Sequence, residues 1–227
     1  LTLVDDEALA DLGRYAARAR ALDADGAMRL QALGHVLASW VSVLPGSGLL
    51  GEGTVLGLRT TALAEPASVD LTVALGAITD RTARPDAGRV LPLPPATVAV
   101  TWSALTPPRS GWALAASIPA DALASAAQAG VAEISTAVAE RGAAAGLVRD
   151  RVWRTLVPGT EVAAGGAFAA YALGFLQPGA EVSVLRCNRW TRLSAAGGYV
   201  LMRWPAGTAT APMRPITRKI TPKSPLS

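Results

Sequence analysis

Apolar residues recur along this chain at two different periods, and the switches between those periods mark its elements. From Asp5 to Leu22, Leu9, Leu12, Ala16 and Ala19 fall at three-to-four spacing, which places them on one face of a helix. Asp5 stands where an N-cap belongs. Asp6 and Glu7 come early and Arg14, Arg18 and Arg20 late, as a helix dipole favours. Asp23, Asp25 and Gly26 end the segment. The period then drops to two. From Ala27 to Leu33, Met28, Leu30 and Ala32 alternate with Arg29 and Gln31. From Val36 to Leu44 the chain is apolar on both faces, the pattern of a central strand. From Thr54 to Leu63, Leu56 and Leu58 alternate with Gly57 and Arg59. Val69 to Val73 reads as a fourth strand and leads into a short helix near Leu75 to Arg81. Residues 84–96, rich in Pro and Gly, predict a loop. Thr97 to Trp102 predicts a further strand, TPPRSG at 106–111 a second break, and Trp112 to Ala115 a short extended piece.

The C-terminal half is organised around Gly165 to Trp204. Before it, Pro119 to Arg141 has the pattern of a long helix with Leu123, Ala127, Val131, Ile134 and Val138 as its buried stripe. Leu147 to Leu156 predicts another helix, closed by Pro158-Gly159. Ala167 to Leu176 is Ala-rich and apolar on all sides, the composition of a fully buried helix, and Pro178-Gly179 stops it. Three short strands follow, Glu181 to Arg186, Trp190 to Leu193 and Tyr199 to Trp204, with Asn188 and Gly197-Gly198 at the turns. The pattern therefore predicts an α+β fold. An N-terminal antiparallel sheet with one long helix occupies residues 1–112. C-terminal helices and a three-stranded β-meander occupy 113–205, and a basic, Pro-containing tail runs from 206 to 227.

Charge sharpens this division. Residues 1–140 carry nine basic and fourteen acidic side chains, net −5; residues 141–227 carry twelve and three, net +9. Arg outnumbers Lys nineteen to two. A basic half can attract nucleic acid, anionic lipid or an acidic partner. The meander concentrates this charge in Arg186, Arg189, Arg192 and Arg203, interleaved with Trp190, Tyr199 and Trp204. Arg186, Arg189, Trp190, Arg192 and Arg203 are thus the candidate anion- or partner-binding residues.

The remaining chemistry is sparse. Gly46, Gly48 and Gly51 fit GxGxxG, but a dinucleotide loop must open a helix, and here a strand pattern follows. The loop reads as a hairpin connection. His35 is the single histidine and sits in no catalytic motif. Cys187 is the single cysteine, so there is no internal disulfide, and a reducing cytoplasm is the expected setting. One His and one Cys do not supply the usual zinc ligand sets. No catalytic, cofactor or metal site is expected. No apolar run reaches membrane-spanning length, and LTLVDDEALADL lacks the basic start of a secretory signal. Two helices followed by a hairpin resemble a winged-helix layout, but the second helix is too apolar to read base edges.

The segments LTLVDDEALADLGRYAARARALDADGAMRLQ, VDLTVALGAITD, GWALAASIPADALASAAQAGVAEIS, AAYALGFL and RWTRLSAAGGYV carry a resemblance that spans Leu1 to about Trp204. The chain resembles a group of uncharacterised actinobacterial proteins of unknown function, and the resemblance implies no activity. The leading expectation is a non-enzymatic interaction or scaffold protein that self-associates or binds a protein partner. The alternatives are nonspecific nucleic-acid binding through the basic half and an enzyme without a recognisable motif.

Overall fold

In the computed structural model, residues 1–46, 51–84, 88–141 and 145–203 are described. The first helix, α1 (Asp6–Leu22), forms where the three-to-four pattern predicts it. The Asp5 carboxylate accepts from the Ala8 N–H, and Leu9, Leu12, Ala16 and Ala19 are all buried, joined by Tyr15.

The four strands predicted between 27 and 73 are two long ones, β1 (Ala27–Leu44) and β2 (Val55–Ala74). They pair antiparallel, so Gly46 and Gly51 lie on a strand-to-strand connection. The rest of that glycine motif, residues 47–50, is outside the described residues. The apparent break near residue 34 is a bulge. Gly34 pairs with Ala67 but Val36 pairs with Ala62, so His35 alone opposes the four residues from Leu63 to Pro66. Gly34 adopts φ +60°, a left-handed conformation that glycine takes without steric cost.

Helix α2 (Leu75–Thr82) follows β2. The strand predicted from Thr97 to Trp102 does not form. Prolines at 92, 94, 95, 107 and 108 bracket it, and it crosses the sheet as an irregular strap containing a single 3-10 turn, Thr101–Ala104. Next come β3 (Ala113–Pro119), α3 (Ala120–Arg141), α4 (Ala145–Arg154), α5 (Ala164–Ala172), β4 (Glu181–Cys187), β5 (Trp190–Ala195) and β6 (Gly198–Arg203). The predicted meander, β4 to β6, is present, and residue 204 and the tail are outside the described residues.

The six strands form one antiparallel sheet in the order β1-β2-β6-β5-β4-β3. The join between the two halves is β2 against β6, from Val55↔Met202 to Leu58↔Tyr199. The main core lies between this sheet and the helices, drawing Leu12 and Tyr15 from α1, Leu37 and Val41 from β1, and Val184, Leu193 and Val200 from the meander. Helix α5 is the buried helix its composition predicts, with Ala164 to Ala167, Ala169 and Ala170 inside. It ends at Gly174, which has φ +71° and lets the Arg18 guanidinium donate to Leu173 O at 3.1 Å. Any Cβ at Gly174 would overlap that guanidinium.

The stripe buried on α3 follows the predicted one at Leu123 and Ala127 and departs from it at Val131 and Val138. Ala120, Leu123, Ala127 and Ala137 are buried, whereas Val131 and Val138 are 39% and 53% exposed. Close approach decides this. The Trp153 ring lies so near Gly130 that an added Cβ would sit 2.5 Å from it.

Candidate functional site

Strand alternation sorts the sheet's side chains onto two faces. No residue from α1 to α5 belongs to the cluster on the outer face, which is built from Leu56, Trp190 and Leu201 with Trp40, Leu58, Trp102, Leu105, Trp112 and Tyr199 around them. Leu56, Trp190 and Leu201 are nonetheless only 1%, 7% and 2% exposed. Their cover is the strap and the arginines.

The strap is held at four points. Val98 N–H donates to Thr72 O at 2.9 Å, and Arg29 Nη1 donates to Ser103 O at 2.6 Å. Trp112 Nε1 donates to Pro108 O at 2.9 Å, and the Cys187 thiol lies 3.6 Å from Ser110 O. Arg29 is itself fixed by a bidentate pair with Asp70, at 2.8 and 2.7 Å, and Gln31 Nε2 donates to the same carboxylate at 2.9 Å. The hydrogen bonds from Arg29 hold the Asp70 carboxyl below its ordinary pKa, with smaller contributions from Gln31 and from the charge of Arg109, against the opposing effect of desolvation.

Between strap and sheet lies a cleft of about 420 Å³, within the range of small-molecule sites. Its walls are mostly apolar and aromatic. Among the described residues its charged lining is Arg29, Arg109 and Arg192, and no carboxylate lines it. Arg192 is held by two rings, its Cζ 4.8 Å from the Trp112 centroid and 5.6 Å from that of Tyr199. Among the described residues Arg192 Nε and Trp40 Nε1 are buried donors without a hydrogen-bond acceptor.

The five candidate residues from the sequence separate into two groups. Trp190, Arg192 and Arg203 share the outer face, and Arg203 Cζ lies 5.7 Å from the Trp190 centroid. Arg186 pairs with Glu161 at 2.7 Å, and Arg189, in the β4–β5 turn, pairs with Glu52 at 3.2 Å. The sequence reading did not include Arg29, Trp40, Trp102, Arg109 or Trp112, which come from β1, the strap and the start of β3. His35 is apart from the cleft, its Nδ1 3.1 Å from Leu63 O at the bulge. Among the described residues no three His, Cys, Asp or Glu side chains are grouped to hold a metal ion. No helix there is long and apolar enough to cross a membrane.

Residues 1–103 match the model of a domain of unknown function, DUF8010, and residues 107–207 match that of a second, DUF8185. No curated protein and no solved structure matches the chain. The gap between the two matched segments, residues 104–106, falls in the strap over the cleft. Both matched segments contribute to the site: Arg29 and Trp40 come from the first, Arg109, Arg192 and Tyr199 from the second.

Proposed function

We propose that this chain is a non-catalytic binding module whose working surface is the helix-free face of its sheet. One observation carries the proposal: a preformed cleft there joins aromatic walls to arginines, and among the described residues no carboxylate lines it, Asp70 beside it being engaged by Arg29. On this reading His35 and Cys187 are structural, and a scaffold role follows from what the cleft holds. The lone Cys187 favours a reducing, cytoplasmic setting. Nucleic-acid binding through the meander arginines is the weaker alternative. Arg186 and Arg189 carry carboxylate partners, and the rings beside Arg192 and Arg203 are engaged by guanidinium groups where a base would stack. Self-association or a protein partner would use the same face.

The test is a thermal-shift screen of small organic molecules and labelled DNA against the intact chain and a Tyr199→Ser variant. The expected result is stabilisation by some small molecules, lost in the variant. Ligands that stabilise both chains equally, or binding only to DNA with a steep salt dependence, would overturn the reading.

A further inference from the structure

We propose that the cleft takes a small organic anion: a flat apolar body lying on the sheet, with one oxyanion group received by Arg192 and Arg109. This rests on the binding-module reading and adds the chemistry of the ligand.

The walls select the body. Leu56, Leu58, Leu201 and the Trp40 and Trp102 rings give a mostly apolar surface, and flat rings stack on such walls better than branched or strongly polar molecules do. A volume of about 420 Å³ suits a molecule of a few fused or linked rings.

The donors select the head group. Arg192 has its guanidinium between Trp112 and Tyr199. Stacking engages the faces of a guanidinium, whereas its five N–H donors lie in its plane and remain for an acceptor. Among the described residues the Arg192 Nε is buried and has no hydrogen-bond partner. Trp40 Nε1 is a second buried donor in the same wall without an acceptor. Buried donors without partners carry a free-energy cost that an incoming acceptor relieves. Arg109 is exposed at the rim and adds a second positive charge. Arg29, by contrast, already engages Asp70 and Ser103 through Nε, Nη1 and Nη2 and serves as a wall. Among the described residues the cleft therefore offers positive charge and unpartnered donors, while its side-chain acceptors are the neutral oxygens of Gln31, Thr60, Thr106 and Tyr199, so a cation finds no opposing charge in it. Nor is the segment after β6 complementary, since residues 204–227 hold Arg214, Arg218, Lys219 and Lys223 and no Asp or Glu.

The test uses two dyes with one aryl skeleton, 8-anilinonaphthalene-1-sulfonate and the neutral N-phenyl-1-naphthylamine, titrated by fluorescence into the full chain. The sulfonate is expected to bind about tenfold tighter or more, the effect of one charge-assisted contact. Its affinity should fall with salt while that of the neutral dye does not. Arg192→Met and Arg109→Gln should each remove most of that preference and leave the neutral dye's affinity unchanged. Arg109 is exposed, so its variant keeps the test independent of folding. Displacement of the sulfonate by 2-naphthoate or by 2-naphthyl phosphate, but not by 2-naphthamide, would support the proposal and show which oxyanion is preferred. Equal binding of both dyes would overturn the anion preference and leave a binding face of another chemistry. Failure of both dyes to bind would overturn the binding-module reading itself. A sulfonate preference unchanged in both variants would place the dye elsewhere and also overturn the proposal.

Discussion

Phe175→Ala tests whether the two halves are one cooperative unit. Phe175 follows α5 and is fully buried. Its ring stacks on Tyr15 of α1, with centroids 5.6 Å apart and planes at 29°. On its other side is the β5–β6 turn, where Gly197 N–H donates to Phe175 O at 3.1 Å and an added Cβ at Gly198 would sit 2.7 Å from the ring. Truncating a buried Phe to Ala costs about 3–5 kcal/mol, depending on how far the site can collapse. Collapse here is restricted, because the glycine turn is fixed by the Ala195↔Gly198 register and Tyr15 by its helix. The upper part of the range, about 4–5 kcal/mol, is therefore expected. For a domain of this size that corresponds to a fall in melting temperature of about 8–20 °C. The assay is urea unfolding combined with hydrogen exchange read by mass spectrometry. If one core serves both halves, peptides from β1 and β2 should lose protection together with those from β4 to β6. The reasoning fails if only the meander destabilises while residues 27–74 keep their protection, for that would make the two matched segments separate folding units.

Two further predictions concern pH. Burial raises the Tyr15 hydroxyl well above its ordinary value, the charge of Arg59 opposing this only in part. A raised folded pKa contributes stability that is complete below about pH 10 and is lost as pH climbs from there toward the folded value. Stability measured by denaturant between pH 8 and 11 should therefore fall, and Tyr15→Phe should flatten that fall. The variant loses only a long contact to Ser39 O, 3.4 Å, so an unchanged alkaline slope would refute the assignment. Asp70 works in the opposite direction. Its folded pKa is lowered, so its contribution is present above about pH 4 and disappears as pH falls through the folded value. Its side chain is 51% exposed, so Asp70→Asn should cost under about 1 kcal/mol globally while speeding exchange in residues 98–108. Unchanged exchange in that strap would show that the Arg29–Asp70 pair does not anchor it.

Much of the fold was legible because its signals are local. The α1 stripe and its Asp5 cap, the Ala-rich run of α5 and the turn residues of the meander each specify an element from adjacent positions. What failed depends on long-range packing. Gly34 and Pro66 resemble strand ends but flank a bulge, and Leu33 and Val36 there are 68% and 51% exposed. On α3 the predicted stripe holds at Leu123 and Ala127 but fails at Val131 and Val138, where the indole of Trp153 needs Gly130 beneath it. The residues 97–102 have β-forming side chains, but prolines bracket them, and one backbone bond to β2, at Thr72, is what remains. The site was legible only in part for the same reason. Arg192, Trp190 and Arg203 were recognisable as charge interleaved with aromatics within one meander. Trp40 and Arg29 reach them only through the β2–β6 pairing, a long-range contact that no local pattern announces.

The stiffness of the strap explains why a cleft persists at this position. A flexible segment laid over an apolar sheet face would be drawn down until the gap closed, since each buried Å² of apolar surface is favourable. Two features oppose that here. Pro107 and Pro108 are adjacent, which fixes both φ angles and restricts the residue before them, so the middle of the strap cannot bend freely onto the sheet. It is also held by polar groups at two points: Arg29 props Ser103 from β1, and Trp112 holds Pro108 through its indole N–H. Trp112 is in addition one of the two rings around Arg192, so the contact that holds the strap off the sheet also orients the guanidinium. Pre-organisation of the opening and of the cation thus have one structural cause. A site built this way incurs little ordering cost when a ligand arrives, which is what separates a binding cleft from a packing defect.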